Sequence, residues 1–152
     1  MTRAEKRSNA RLAAVQALYQ MDIAGAGIVD VLAEFEAHWI GQEVEGVEYK
    51  PAEAAFFRDI VGGVVRVQRE IDPKVDKALS EGWPLKRIDA ILRAILRAGA
   101  YELTGRRDIP PKVTITEYVD VAHAFLDRDE AGMVNAVLDK LARAERADDL
   151  KP

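Results

Sequence analysis

Two histidines, two serines and no cysteine are what this 152-residue chain offers to metal or nucleophilic chemistry. His38 and His123 lie 85 positions apart. Asp120 and His123 stand i,i+3, like half of the acid-x-x-His pattern from which helical bundles build dimetal sites. Such a site needs that pattern twice plus two further inward acids, and the sequence holds one copy. His123 therefore reads as an exposed or capping side chain. The lack of cysteine removes thiolate ligands, a thiol nucleophile and disulfides. Ser8 and Ser80 sit in no nucleophile-elbow pattern. Gly25-Ala-Gly27 begins like a dinucleotide loop, but no strand precedes it and Asp30 stands where the third glycine belongs. No phosphate-cradling P-loop is present. Nothing assembles a nucleophile, a base and an oxyanion site, so no catalytic, metal or cofactor residue is assigned and an enzyme is not expected.

The chemistry the sequence does supply is phosphate recognition. Arg3, Lys6, Arg7 and Arg11 face Glu5 alone, giving the first eleven residues +3 on a chain whose net charge is −4. The rest therefore carries −7. Positions 3, 7 and 11 are i,i+4 apart, so a helix aligns them in one stripe of planar guanidinium forks suited to phosphate. The alternative is an ordinary solvated helix start. The acidic total speaks against a uniformly basic nucleic-acid domain and for a basic end on an acidic body. Composition, 49% apolar and 32% charged, is that of a soluble globular chain. No run reaches the roughly 18 uncharged residues of a membrane span, and the N-terminus lacks the apolar stretch of a secretory signal. The expected compartment is the cytoplasm, with no membrane partner.

These cations need a scaffold, and helical periodicity supplies it. Leu12, Val15, Leu18 and Tyr19 mark a first helix, with a Thr2–Glu5 capping box at its start and Gly25 and Gly27 at its end. Ile28, Val31, Leu32, Phe35 and Trp39 mark a second. Residues 41–50 read as a loop. Pro51 opens a third helix through Phe56, Phe57, Ile60, Val61, Val64 and Val65, whose Gly62-Gly63 pair suggests close helix packing. Asp72-Pro73 is expected to end or bend it. A short segment from Val75 to Leu79 follows, then a loop at Gly82-Trp83-Pro84. The strongest helix carries Ile88, Ile91, Leu92, Ile95 and Leu96 and ends near Gly105. Val113–Val121 alternates like a strand, but the longer Ile115, Tyr118, Val119, Ala122, Phe125 pattern and a Thr114–Glu117 capping box predict a helix. Met133, Val134, Val137, Leu138 and Leu141 form the last helix, with Asp129 as N-cap, and the tail after Ala147 is expected to fray. The fold class is all-α. About seven helices form one domain over 1–152, in two small packed bundles of about 1–72 and about 73–147.

Three blocks in order resemble the NusB family. They are Arg7-Ser-Asn-Ala-Arg-Leu-Ala-Ala-Val-Gln-Ala-Leu-Tyr-Gln20, the Arg87–Leu103 helix ending Tyr-Glu-Leu, and the stretch from Ile109-Pro to Val134-Asn-Ala-Val-Leu-Asp139. The resemblance implies two perpendicular helical bundles and a transcription antitermination factor. Its implied partners are NusE, a ribosomal small-subunit protein, and the single-stranded boxA element of nascent RNA. The pair helps RNA polymerase read through terminators. The same fold opens some ribosomal-RNA methyltransferases; the absence of such a domain here favours the stand-alone factor, and a homodimer is open for the free protein.

Carried onto this sequence, the resemblance puts Arg3, Lys6, Arg7 and Arg11 on RNA. A second RNA surface lies at Arg128, Asp129, Met133 and Asn135, the last able to read a base edge or, alternatively, to cap a helix. Arg97 is a further RNA candidate, with a salt bridge as its alternative. Tyr19, Leu92 and Glu102 are candidates for the NusE face, although their spacing is equally that of core. The chain departs from the family at Ser8-Asn9, where arginines are common, and at Met133, where an aromatic is common. Both departures weaken RNA contact and predict weak binding alone, strengthened by NusE. The competing reading is a helical adaptor that binds proteins through its acidic faces.

Overall fold

The computed structural model describes residues 2–38, 43–44, 47–48, 54–79 and 84–150. Helix α1, Arg3–Ala24, starts where Thr2 caps it: its hydroxyl accepts a hydrogen bond from the Glu5 N–H at 3.1 Å. It stops at Gly25, whose φ of +66° lies in the left-handed region that glycine enters without a Cβ clash. Ala10, Ala14 and Ala17 give α1 a buried face of small residues, which lets neighbouring backbones approach closely. After a short turn, α2, Ile28–His38, lays Val31 and Phe35 into the core. Trp39 and Pro51 lie outside the described residues. Within the expected loop, the two-residue strands β1, Glu43–Val44, and β2, Val47–Glu48, pair antiparallel.

Helix α3, Ala54–Ala78, corrects one expectation. It continues through Asp72-Pro73 rather than ending there, and absorbs the Val75 segment. Proline within a helix costs about 3 kcal/mol through the lost N–H and the clash with the preceding turn. Ile71, Val75 and Ala78 are buried on either side of it, with Leu79 just beyond. Each large apolar side chain contributes about 1.5–3 kcal/mol on burial, so docking the final turns outweighs the defect. The described residues form six α-helices, close to the about seven that the periodicity suggested, and α3 crosses the expected junction at 72/73.

A 3₁₀ turn at Leu85–Arg87 leads to α4, Ala90–Gly105, capped by Asp89, which accepts from the Ile91 N–H at 3.0 Å. Helix α4 is buried nearly all round, as a central helix must be. It packs against α1, α3, α5 (Pro111–Phe125) and α6 (Arg128–Glu145). Two glycines set its distance from neighbours. A Cβ on Gly63 of α3 would fall 2.2 Å from the Tyr101 ring, and one on Gly99 would fall 2.8 Å from Leu138 of α6. Gly62, by contrast, faces open space.

Helix α5 settles the ambiguous segment as a helix, with Pro111 at its first position. Thr114 lies a turn inside it and is buried, so it is not the expected cap. Helix α6 is capped by Asp127, not Asp129: the Asp127 carboxylate accepts from the Glu130 N–H at 2.8 Å. The tail expected to fray forms a 3₁₀ turn at Ala147–Leu150. Arg146 fastens it, donating to Asp149 at 2.7 Å and to the carbonyls of Ile109 and Arg107 at 2.8 and 3.0 Å. No described helix is long and apolar enough to cross a membrane.

Candidate nucleic-acid interface

The α1 stripe is aligned as its spacing requires, but it runs from solvent into the protein. Arg3 and Lys6 are exposed, Arg7 is half-buried, and Arg11 is 2% exposed. The reason is the small face of α1: Ala10 and Ala14 flank Arg11 and draw that turn against α4. Arg11 donates to both carboxylate oxygens of Glu102 at 2.9 Å and to Glu117 at 3.2 Å. Glu102, itself fully buried, also accepts from the Tyr118 hydroxyl. Burial alone would depress Arg11, but the hydrogen bonds and charge of Glu102 outweigh it and hold the guanidinium above its usual range. Burial, reinforced by the Glu102 charge, pushes the Tyr118 hydroxyl well up.

Two assignments are thereby corrected. Arg11 is withdrawn from direct phosphate contact, and Glu102 from the partner face, because each neutralises the other inside the core. Leu92, 2% exposed, is core as well. Arg97 takes its alternative: it forks onto Asp72 at 3.0 and 2.9 Å, beside an Arg93–Asp22 pair at 2.7 Å. These pairs tie α4 to α3 and α1. Tyr19 keeps partial exposure, in a cleft of about 320 Å³ shared with Gln16, Gln20, Ile23 and Glu34. Ile23 is 58% exposed and was not singled out; its signal was an apolar residue off the buried stripe of α1.

Phe56 of α3 is the hub behind the basic edge. The guanidinium carbons of Arg7, Arg11 and Arg106 lie 4.8, 5.0 and 5.1 Å from its ring centre, within cation–π range. In front lies a cleft of about 250 Å³ lined by Arg3, Arg7, Arg11, Asp108, Pro110 and Glu117. Arg106 forks onto Asp108, both bonds 3.0 Å, and reaches Asp59 at 2.8 Å. Hydrogen bonding to Arg106, helped by the charge of Arg7, pulls the Asp108 carboxyl down to about 2. Arg106 and Asp108 escaped the sequence reading. The only sign of them was the charged triplet Arg106-Arg107-Asp108 between two helices.

A second surface opens at the start of α6. Arg128, Asp129 and Asn135 are exposed and Met133 is half-buried, in one helix and within two turns. Asn135 lies inside the helix, so it is not a cap. Met133 floors a cleft of about 410 Å³ with Ile88 and Leu92, rimmed by Arg87, Asp89, Asp129 and Glu130. Burial and the neighbouring Asp127 and Asp89 push the Glu130 carboxyl up. Asp120 and His123 are both exposed, and no group of three metal-binding side chains gathers among the described residues.

Comparison with known proteins agrees with this architecture along nearly the whole chain. The profile of the NusB family matches residues 8–143. A transcription antitermination protein NusB from a Bradyrhizobium strain (BTAi1) is 71% identical over 150 residues, 99% of this chain and 89% of that protein. Its counterpart from Rhodopseudomonas palustris (strain HaA2) is 68% identical over 147 residues, 97% of this chain and 87% of that protein. Among solved structures, T. maritima NusB superposes with a TM-score of 0.77 at 27% identity, covering 94% of this chain and 95% of that one. A crystal structure of the antitermination factors NusB and NusE in complex with dsRNA gives 0.76 at 26%, covering 95% and 99%. Sequence, helix order and overall shape converge: the chain belongs to the NusB family of transcription antitermination proteins.

Proposed function

We propose that this protein acts without catalysis, binding together with NusE the boxA element of nascent, especially ribosomal, RNA and helping RNA polymerase read through terminators. The observation that carries the reading is the exposed cationic edge of α1, Arg3 and Lys6 with Arg7 behind them, on a fold whose solved relative was crystallised with NusE and RNA. That relative's RNA is double-stranded; the preference for single strands rests on Asn135, whose exposed amide suits the edge of a splayed base. Arg128 stands beside them for phosphate. The Tyr19–Ile23 cleft is the NusE face, and in the free protein the same apolar patch is available to a second copy of the chain.

The geometry supports weak binding by the protein alone. Arg11 is spent on Glu102, and Arg7 shares its cleft with Asp108 and Glu117, so the charge offered to phosphate is small. The test is a salt titration of single-stranded boxA RNA binding, with and without NusE. For single strands, log K falls with log salt by about 0.7 per phosphate neutralised. Arg3→Ala and Lys6→Ala should each flatten the slope by about that amount, and NusE should raise affinity. Unchanged slopes and no gain from NusE would reject the proposal and favour the protein adaptor.

A further inference from the structure

Arg106 holds the groups a phosphate needs, and a carboxylate already sits on them. We propose that Asp108 is a resident counter-ion occupying an RNA-phosphate position on Arg106, so that the α4–α5 loop masks part of the α1 basic edge until RNA displaces it. This rests on the RNA-binding reading above and adds Arg106 to the site and Asp108 as its mask.

The fork of Arg106, Nε and Nη2 each 3.0 Å from an Asp108 oxygen, is the edge that arginine presents to phosphate. The carboxylate is the outer member: its side chain is 59% exposed against 23% for Arg106. The pair lies at the surface, where a carboxylate on an arginine fork can exchange for another oxyanion of like geometry. Displacement needs no movement of the loop. Arg146 grips the carbonyls on both sides of Asp108, those of Arg107 and Ile109, so the backbone is held and only one short side chain has to rotate. Arg106 would stay aimed when Asp108 leaves, because Asp59 holds its third nitrogen at 2.8 Å and its guanidinium carbon sits over the Phe56 ring. Asp108 also lines the cleft with Arg3 and Arg7, so a phosphate that replaced it on Arg106 would lie beside the α1 basic edge.

The experiment uses the full chain and fluorescein-labelled single-stranded boxA RNA, titrated over a range of salt. Asp108→Asn and Asp108→Ser should each tighten binding about fivefold at low salt. The salt slope of each should match wild type, because the same phosphate ends on Arg106 in both complexes. Adding Arg106→Gln to Asp108→Asn should remove the gain and flatten the slope by about 0.7, one phosphate fewer. Asp30→Asn, on exposed α2, makes the same change in net charge and should bring no such gain. Thermal unfolding of Asp108→Asn should show a fold no more stable than wild type, so tighter binding cannot come from stabilisation. Wild-type binding with no gain in the Asp108 variants, or an equal gain from Asp30→Asn, overturns the mask alone. No binding by any protein overturns the mask and the RNA-binding reading together.

Discussion

Replacing Arg11 by methionine should unfold this protein more readily without altering how its RNA affinity depends on salt. Arg11 and Glu102 are 2% and 0% exposed, and two hydrogen bonds of 2.9 Å join them. Methionine fills most of the volume but leaves the Glu102 carboxylate buried with only the Tyr118 hydroxyl to answer it. Breaking one side of such a pair costs about 3–5 kcal/mol. A domain of this size has about 5–15 kcal/mol in total, so the variant folds with little to spare. With a urea slope of about 2 kcal/mol per molar, the midpoint should fall by about 2 M. Two further measurements isolate the cause. An uncompensated buried carboxyl has a raised folded-state pKa, so its stabilising contribution is complete below the unfolded value and is lost as pH rises. The Arg11→Met deficit should therefore shrink as pH is lowered from 7 towards about 4.5. Adding Glu102→Gln should recover much of the loss, because a neutral amide still accepts from Tyr118 and needs no cation. A midpoint equal to wild type, or a deficit indifferent to pH and to the second substitution, would refute the buried-pair account and return Arg11 to the surface.

Other perturbations follow the same packing. Gly63→Ala places a methyl 2.2 Å from the Tyr101 ring and should destabilise by about 1–3 kcal/mol in urea unfolding, whereas Gly62→Ala, facing open space, should be neutral or stabilising. Pro73→Ala should stabilise by about 1 kcal/mol or more, since α3 continues through Pro73 and alanine restores the missing helical N–H; a loss of stability would mean the proline shapes the helix in a way the packing does not show. Asp108, held down to about 2 by Arg106, contributes stability that is complete above the ordinary carboxyl range and is lost as pH falls through about 2. An acid titration of Asp108→Asn should be flatter than wild type between about pH 4 and 2.

The helices were legible because burial imposes a period, and the period survives in the order of residues. Thr2 and Gly25 mark the ends of α1 through chemistry that acts within one turn, so both could be read locally. Pro73 misled for the same reason: its local cost is real, yet Ile71 and Val75 outweigh it only once α3 is docked on its neighbours. Asp127 and Asp129 are equivalent as caps in a linear sequence, and the choice depends on how the chain leaves α5. Arg11 was misjudged because an i,i+4 stripe of arginines has one spacing whether it faces water or a buried acid. Two signs did point inward: alanines bracket it at 10 and 14, and Glu102 stands alone among the apolar residues of α4. An acid isolated on a core helix needs a cation, and the sequence offers few that could reach it. Arg106 and Asp108 could not be ranked at all, since only the meeting of that loop with α1 and Phe56 brings them to the basic edge.

The placement of charge also gives this face a cationic edge and a restraint on it. The inner half of the α1 stripe links α1 to α4 and α5 through Arg11, Glu102, Glu117 and Tyr118, and Phe56 brings in α3. Four helices thus fix the angle at which the outer half, Arg3, Lys6 and Arg7, meets solvent. Such preorganisation lowers the entropy lost when a phosphate binds, but it needs acids to hold the inner arginines, and those acids weaken the field outside. More arginines on this edge would strengthen non-specific attraction to any polyanion. Carboxylates at positions 108 and 117 suppress that attraction and leave discrimination to contacts beyond the phosphates. If this face binds RNA as proposed, affinity then has to come from a second surface engaged at the same time.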